Sequence, residues 1–320
     1  MRSSRLFAWA LLLVLLCALP ALVLAQAADP KALDYRLQAR ELAAGVYVVE
    51  GANADFSVAN GCNIINTGFI ATGAGVVVIN TGPSRRYGEQ LRALIARTTR
   101  EPILKVVHLN LHPDYFLGNQ AFADVPRAAT PRTRAGMQRE AKGYEDNLYR
   151  LCGDWMQGTE ALLPSVDAVA GTERIGGHEI ETIELSGHTD SDLVLIDRTR
   201  GIVFTGGLVF AQRIPTTPHA KLDAWRDSLT QLAAWPFKTW VPSHGTVTGD
   251  NAAIAATQRY LAWLDQAFRG AAERGLDMNE VLRMPVPPEF RQWAAFETEY
   301  VRNVANLYPR YEQRALTKRP

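Results

Sequence analysis

Three histidines of the sequence, His112, His188 and His244, each lie in a short polar loop that follows a run of apolar residues. The loops read Leu-His-Pro-Asp-Tyr, Gly-His-Thr and Pro-Ser-His-Gly. A neutral imidazole is the usual protein ligand of zinc, and a carboxylate such as that of Asp114 completes hydrolytic sites. Because layered α/β folds build their sites from loops at strand ends, the pattern favours one metal-dependent site.

The elements that position these loops follow from the hydrophobic pattern. Apolar runs bounded by Gly, Pro and Asn predict strands over residues 45–50, 63–71, 75–80, 102–107, 173–180, 182–185, 192–196, 201–205 and 239–242. Apolar residues at helical spacing predict helices over residues 85–98, 221–234 and 251–270, with a helical, aromatic tail after residue 288. Two β-rich halves, each followed by helices, predict an α/β fold, a layered sandwich with the helices outside.

The composition excludes several classes of protein. The chain has 320 residues, with 34 Lys and Arg against 33 Asp and Glu, and this near-neutral balance argues against a nucleic-acid binder. An apolar fraction of 47% argues against disorder, and three cysteines are too few for a disulfide-built scaffold. The length suits one large domain or two moderate ones.

Residues 1–25 have the order of a secretory signal peptide. Arg2 and Arg5 precede an apolar run over residues 6–19, and small residues follow Pro20. An uncleaved membrane anchor is the alternative, but the run is short of the ~20 residues that a span needs. We therefore expect cleavage, a periplasmic or secreted chain, and no membrane anchor in the mature protein. Removal of the two arginines leaves 32 basic against 33 acidic residues.

The mature chain would keep two cysteines, Cys62 and Cys152. In an oxidising compartment they could form a disulfide, and they could equally remain two free buried thiols. Spacing alone carries no geometry, so the sequence leaves both alternatives open.

Residues 126–165 differ in composition from the rest of the chain. A helix is predicted to start at Thr130-Pro131, and residues 126–150 contain six cations against three acids. The simpler interpretation is a helix face exposed to solvent. The other interpretation is a cover over a site that attracts anionic ligands.

Together the motifs resemble those of the metallo-β-lactamase superfamily. That family has H-x-H-x-D-H with a following Gly-Gly or Gly-Asn, then G-H-T, a strand that ends in Gly-Asp, and a late P-x-H-G. This chain carries, in order, Gly118-Asn119, Gly187-His-Thr189, Thr205-Gly-Gly207 and Pro242-Ser-His-Gly245. The resemblance spans roughly residues 40–312. It implies a four-layer αβ/βα sandwich over residues 35–315, with residues 126–165 as a helical insertion or cover and residues 286–315 as a helical tail.

Three segments resemble one branch of this family, the secreted zinc metallohydrolases associated with sulfur oxidation and with quinoprotein alcohol dehydrogenase systems. The segments are Asp55-Phe-Ser57, Asn66-Thr-Gly-Phe-Ile70 and Arg302-Asn-Val304. The resemblance implies a small-molecule substrate of unknown identity and a periplasmic quinoprotein system as a candidate partner.

The chain departs from the family's pattern at four positions. With His112-Pro-Asp114 aligned, Asn110 stands at the first histidine, Tyr115 at the last histidine and Gly207 at the bridging aspartate. Asn80 stands at the aspartate of the family's Asp-Thr-Gly turn. The metal ligands that the resemblance carries over are His112, Asp114, His188 and His244, so two complete zinc sites are not expected.

The resemblance implies a hydrolase that holds one zinc at this altered site. His112 and His188, with either Asp114 or His244, would hold the ion and leave a position for water. The zinc-bound hydroxide would attack an ester, thioester or amide carbonyl.

If this site holds a metal ion, the chemistry of three residues suggests catalytic roles. Asp114 would orient the water or accept its proton, and Tyr115 or Asn110 would donate a hydrogen bond to the developing oxyanion. His108 faces the same side of an extended segment as Asn110, and could replace the lost ligand. The distance along the segment favours a structural hydrogen bond for His108 instead.

The rival hypothesis is a non-catalytic binding or accessory protein on the same fold, since a fold does not fix a function. The four departures fall at one predicted site, as in a decayed enzyme. The four retained ligands argue against decay, so a zinc-dependent hydrolase is the favoured prediction.

Overall fold

The computed structural model describes residues 33–317, and two β-sheets form the centre of this part of the chain. The first sheet has seven strands in chain order, Arg40–Ala43 (β1), Val46–Val49 (β2), Thr67–Ala71 (β3), Val76–Ile79 (β4), Ile103–Val107 (β5), Arg127–Ala129 (β6) and Val166–Asp167 (β7). β1 to β4 pair antiparallel, and β4 to β7 pair parallel.

The second sheet has five strands, Gly171–Ile175 (β8), His178–Leu185 (β9), Asp192–Asp197 (β10), Ile202–Phe204 (β11) and Thr239–Val241 (β12). Their order across the sheet is β12-β11-β10-β9-β8. β11 and β12 pair parallel, and the other neighbours pair antiparallel. Because parallel strands end on the same side, the loops after β11 and β12 leave the sheet together.

Eight α-helices complete the described part of the chain: Arg85–Thr98 (α1), Pro113–Phe116 (α2), Pro131–Cys152 (α3), Leu222–Ala233 (α4), Ala252–Arg274 (α5), Met278–Leu282 (α6), Pro288–Arg291 (α7) and Phe296–Thr317 (α8). Side-chain oxygens fix two of the starts. Ser84 accepts a hydrogen bond from Tyr87 N before α1, and Thr130 accepts one from Thr133 N before α3.

Side-chain alternation along the strands builds the layers. In β4, Val77 and Ile79 point between the two sheets, whereas Val76 and Val78 pack against α1 on the outer side. In β10, the side chains of alternate residues likewise divide between the space shared by the sheets and the helices α4, α5 and α8. The result is the predicted α/β sandwich, with helices outside both sheets.

Most predicted elements are confirmed. Helix α1 has the predicted bounds, and the helix predicted to begin at Thr130-Pro131 is α3. The strand predicted from residue 63 begins only at Thr67. The short elements β1, β6, β7, α2 and α6 were not predicted, because segments of two to five residues carry too little periodicity. Arg127 in β6 is buried, where its guanidinium donates to the carbonyls of Phe122 and Val125.

The predicted signal peptide lies outside the described residues. Within residues 33–317, no helix is both long and apolar enough to cross a membrane.

Cys62 and Cys152 form a disulfide, which decides between the two alternatives that the sequence left open. The Cα atoms are 5.9 Å apart, and the bond ties the loop before β3 to the end of α3 across 90 residues of chain. Both cysteines lie in a buried apolar cluster with Phe116, Met137 and Leu148. Helix α3 is thereby fixed to the body of the fold beside the loop of residues 108–112.

We expect reduction of this disulfide to destabilise the protein by about 2–5 kcal/mol, because the cross-link restricts the unfolded chain. Urea unfolding with and without dithiothreitol measures the difference. The double variant Cys62→Ala/Cys152→Ala is the control, and its stability should not respond to the reductant. Equal stability of the native chain with and without dithiothreitol would show that the disulfide contributes nothing to the free energy of unfolding.

Candidate functional site

The loops that carry the predicted site residues meet at one edge of the sandwich, and hydrogen bonds between the two sheets hold them there. Leu193 N at the start of β10 donates to the Leu109 carbonyl at 2.9 Å. Asn66 N, just before β3, donates to the Ser243 carbonyl after β12 at 2.8 Å. Each sheet therefore supplies one half of the site.

Amide side chains shape the segment after β5. Asn80, at φ +58°, accepts a hydrogen bond on Oδ1 from Leu109 N at 3.0 Å. An amide oxygen meets this need as well as a carboxylate would, so this interaction does not require an aspartate at position 80. Asn110 Oδ1 accepts a hydrogen bond from His112 N at 2.9 Å and so holds the turn that presents His112.

His188 is fully buried, and hydrogen bonds occupy both of its ring nitrogens. Nδ1 is 3.0 Å from Asn110 Nδ2 and 3.4 Å from Asp192 Oδ1, and Nε2 is 3.3 Å from Thr216 Oγ1. Asn110 Nδ2 also donates to Asp192 Oδ1 at 2.6 Å. Asn110 therefore joins an imidazole to a carboxylate, and its amide is not free to donate to an oxyanion.

Gly207 packs directly against this network. A Cβ atom at position 207 would overlap the imidazole of His188 and lie 2.7 Å from Asn110 Nδ2, which is closer than real Cβ contacts. No side chain fits at this position while His188 keeps its place. The lack of a side chain at position 207 therefore allows His188 to occupy this place.

His112 pairs with a residue that the sequence did not indicate, His219. His112 Nε2 is 3.1 Å from His219 Nδ1, and the ring of His112 also contacts that of His188, with centroids 4.7 Å apart. Burial lowers the pKa of His112 well below its usual range, and the neighbouring imidazoles lower it further. His219 follows no predicted strand and belongs to no motif. The only sequence signal for a role in the site is that it is a histidine.

Asp114 and His244 form a second buried pair, with Oδ2 and Nε2 3.7 Å apart. His244 Nδ1 donates to the Ile64 carbonyl at 2.7 Å, which leaves Nε2 as an acceptor. Burial raises the pKa of Asp114 to about 7, although the Arg213 charge opposes the shift. Burial, reinforced by Arg213, lowers the pKa of His244 well below its usual range, so His244 is neutral at pH 7.

Tyr115 and His108, the remaining residues considered in the sequence, are also buried. The Tyr115 hydroxyl is buried and lies within reach of the Ser243 side chain. Burial and the Asp114 charge raise the pKa of Tyr115 well above its usual range, so the hydroxyl keeps its proton. His108 is held by its Nδ1, 3.2 Å from the Tyr115 carbonyl, which is the structural bond expected for it. Burial lowers the pKa of His108 to about 3.

The four retained ligands form two pairs, His112 with His188 and Asp114 with His244, and not one group. A zinc site needs at least three protein donors around one point. Over the described range 33–317, no group of three or more His, Cys, Asp or Glu side chains is arranged to hold a metal ion. Because both nitrogens of His188 are engaged and position 207 has no side chain, these residues do not fit the zinc site that the sequence predicted.

Comparison with known families decides the assignment of the fold. Residues 60–244, more than half of the chain, match the family model described as the metallo-beta-lactamase superfamily. The chain belongs to the metallo-β-lactamase superfamily. This membership indicates a hydrolase, and members of the superfamily typically bind zinc. A comparison with curated protein sequences found no match.

Solved structures of the superfamily share the fold at low sequence identity. A metallo-β-lactamase from Pontibacter korlensis is 23% identical, with a TM-score of 0.57 over 71% of this chain and 99% of its own. One from Hirschia baltica is 19% identical, with a TM-score of 0.55 over 70% and 97% of the two chains. The metallo-β-lactamase FIM-1 from Pseudomonas aeruginosa, in its mono-zinc form, is 17% identical, with a TM-score of 0.55 over 71% and 95%.

We expect Gly207→Ala to destabilise the protein by about 1–3 kcal/mol, because the new methyl group displaces His188 from its hydrogen bonds. Gly143→Ala is the matched control, since a Cβ there meets nothing within 4 Å in helix α3. Gly143→Ala should be as stable as the native protein or more stable by up to ~1 kcal/mol. Chemical unfolding measures both, and equal stability of Gly207→Ala and native protein would contradict the packing described here.

Proposed function

We propose that the chain is an exported hydrolase that cleaves an ester, thioester or amide with a water molecule held between Asp114 and His244. The observation that carries the proposal is the buried carboxylate–imidazole pair, with Asp114 Oδ2 and His244 Nε2 3.7 Å apart. Both atoms accept hydrogen bonds, so one water would point its two O–H bonds at them and its lone pairs outward. Such a water is oriented for attack on a carbonyl carbon.

Asp114 is the general base in this proposal. As the water oxygen bonds to the carbonyl carbon, Asp114 accepts the proton that the water loses, and the carbonyl becomes an oxyanion. When this tetrahedral intermediate collapses, the carbonyl re-forms, the bond to the leaving oxygen, sulfur or nitrogen breaks, and Asp114 returns its proton to the leaving group. We assign the stabilising hydrogen bond to the Tyr115 hydroxyl, which is buried and keeps its proton. Asn110 is not assigned this role, because its amide already donates to Asp192.

Zinc takes part in no step of the proposed reaction. The sequence-based prediction of one ion, held by His112 and His188 with Asp114 or His244, remains a prediction that metal analysis can test. The mono-zinc form of FIM-1 is a property of that protein.

A non-catalytic accessory protein is the second candidate. The observation that favours it is the network of His188, Asn110 and Asp192, which engages groups that would otherwise bind metal. We infer an accessory role in a periplasmic oxidation system from the resemblance of three segments to the quinoprotein-associated branch. Two segments of that resemblance contact each other, through an ion pair of 2.9 Å between Asp55 and Arg302.

We expect Asp114→Asn to lower the rate of p-nitrophenyl acetate or nitrocefin hydrolysis by ~100-fold or more, because the amide cannot accept the proton. Asp197→Asn is the matched control, since Asp197 is a buried carboxylate paired with His178 at the opposite end of β10, 2.6 Å away. Its kcat should stay within about twofold per folded molecule. Equal rates for native protein and Asp114→Asn would exclude Asp114 as the base, and no hydrolysis by native protein would favour the accessory role.

We expect the purified protein to hold less than a tenth of an equivalent of zinc after preparation in zinc-containing medium. The reason is that the described donors form pairs, whereas a zinc site needs three protein ligands. Metal content is measured by inductively coupled plasma mass spectrometry. About one equivalent in native protein, lost in His188→Ala, would overturn this expectation and support the single-zinc hydrolase.

A further inference from the structure

A cleft of about 880 Å³ borders the loop that carries His244, and its volume is in the range of small-molecule sites. Thr246 and Thr248, which follow His244 in the chain, line this cleft together with Gln212. Ala211, the neighbour of Gln212, donates from its backbone N to the His244 carbonyl at 2.9 Å. None of the residues of the candidate site described above lines the cleft, so it is a separate cavity.

The lining of the cleft is polar, and its charges compensate each other. Side-chain amides come from Asn53, Gln212 and Gln292, and hydroxyl groups come from the two threonines. Among the described residues that line the cleft, only Arg259 and Glu289 are charged, and they form an ion pair with each other. An amide presents a donor and an acceptor, whereas a charged ligand would have to compete with this ion pair. The lining therefore favours an uncharged ligand with hydrogen-bonding groups.

Trp293 gives the cleft a rigid apolar wall. Its indole packs against Tyr260 and Phe290, with ring centroids 5.9 and 5.0 Å apart, and 9% of its surface remains exposed. Ala252 and Ala256 line the same cleft and leave room beside the indole. An apolar surface next to several amides fits a ligand with apolar C–H faces and polar edges.

Gln212 is held in a backbone conformation that its residue type disfavours. Its φ is +52°, in the left-handed region that favours glycine. Its carbonyl accepts hydrogen bonds from Ala294 N at 3.0 Å and from Asn53 Nδ2 at 3.3 Å, and these bonds help to impose the conformation. Backbone strain of this kind is concentrated at ligand-binding and active sites. Glycine would relieve the strain, so what the glutamine adds at this position is its amide side chain.

We propose that this cleft binds a neutral saccharide, with the amides of Gln212 and Gln292 hydrogen-bonded to its hydroxyl groups and one ring face against Trp293. A sugar hydroxyl donates and accepts hydrogen bonds, as an amide does, so the two groups pair in either direction. A neutral ligand leaves the ion pair of Arg259 and Glu289 intact. The proposal does not depend on hydrolysis, because none of these residues takes part in the reaction proposed above.

The test measures the binding of maltose, cellobiose and N,N′-diacetylchitobiose to the purified protein by isothermal titration calorimetry. We expect at least one of them to bind with a Kd below ~1 mM. Gln292→Ala should weaken that binding about three- to tenfold, because a neutral hydrogen bond is lost. Gln266→Ala is the matched control, since Gln266 is an exposed glutamine of α5 that does not line the cleft. It should leave the affinity unchanged.

A second variant separates the side chain of Gln212 from its backbone. Gln212→Gly should be at least as stable as the native protein in urea unfolding, because glycine adopts this φ without strain. It should nevertheless bind the saccharide about three- to tenfold more weakly, because the amide is lost. Ala295→Gly is its matched control, since Ala295 has a φ of +58° and does not line the cleft. It relieves the same kind of strain and should leave the affinity unchanged.

The absence of binding of all three saccharides to native protein would overturn the proposal. Unchanged affinity in Gln212→Gly or Gln292→Ala would also overturn it, as would an equal loss in these variants and their controls. Tighter binding of p-nitrophenol than of every saccharide would show that the cleft is an apolar site instead. Asp114→Asn should bind the saccharide as the native protein does, so this proposal and the proposed hydrolysis fail separately.

Discussion

The contact between the imidazole of His188 and the backbone of Gly207 is the constraint on which the rest of the site depends. Since no Cβ fits between them, position 207 cannot supply a bridging carboxylate. His188 in turn needs partners for two buried nitrogens, and Asn110 with Asp192 and Thr216 provide them. A buried polar group without a hydrogen-bond partner costs about 1–3 kcal/mol of stability, so the stability of the site depends on the complete network.

The two sheets hold this arrangement by backbone hydrogen bonds that cross from one to the other. Behind it lies a buried pair, Arg213 with Glu299, whose Nη2 and Oε1 atoms are 3.4 Å apart. Arg213 Nε also donates to the Ala54 carbonyl at 3.1 Å, and Glu299 lies on α8. A buried charge is tolerated only when paired, so this interaction fixes α8 against the site and sets the positive potential near Asp114.

The chemistry of the site differs from that of the superfamily's usual pattern because its residues are grouped differently. Asp114 and His244 lie together as two acceptors, whereas His112 Nε2 lies beside His219 Nδ1. A pair of acceptors can orient water without further donors.

The sequence was sufficient to predict the layered α/β sandwich, the start of α3, and the loops in which His112, His188 and His244 lie. These features follow from local patterns, namely apolar periodicity, capping residues and short motifs. The folded structure was needed to show that Cys62 and Cys152 pair, that Asn110 bonds to Asp192, and that His219 contacts His112. Each of these contacts joins residues that are 80 or more positions apart. Their partners are set by the packing of two sheets, and no local pattern records that packing.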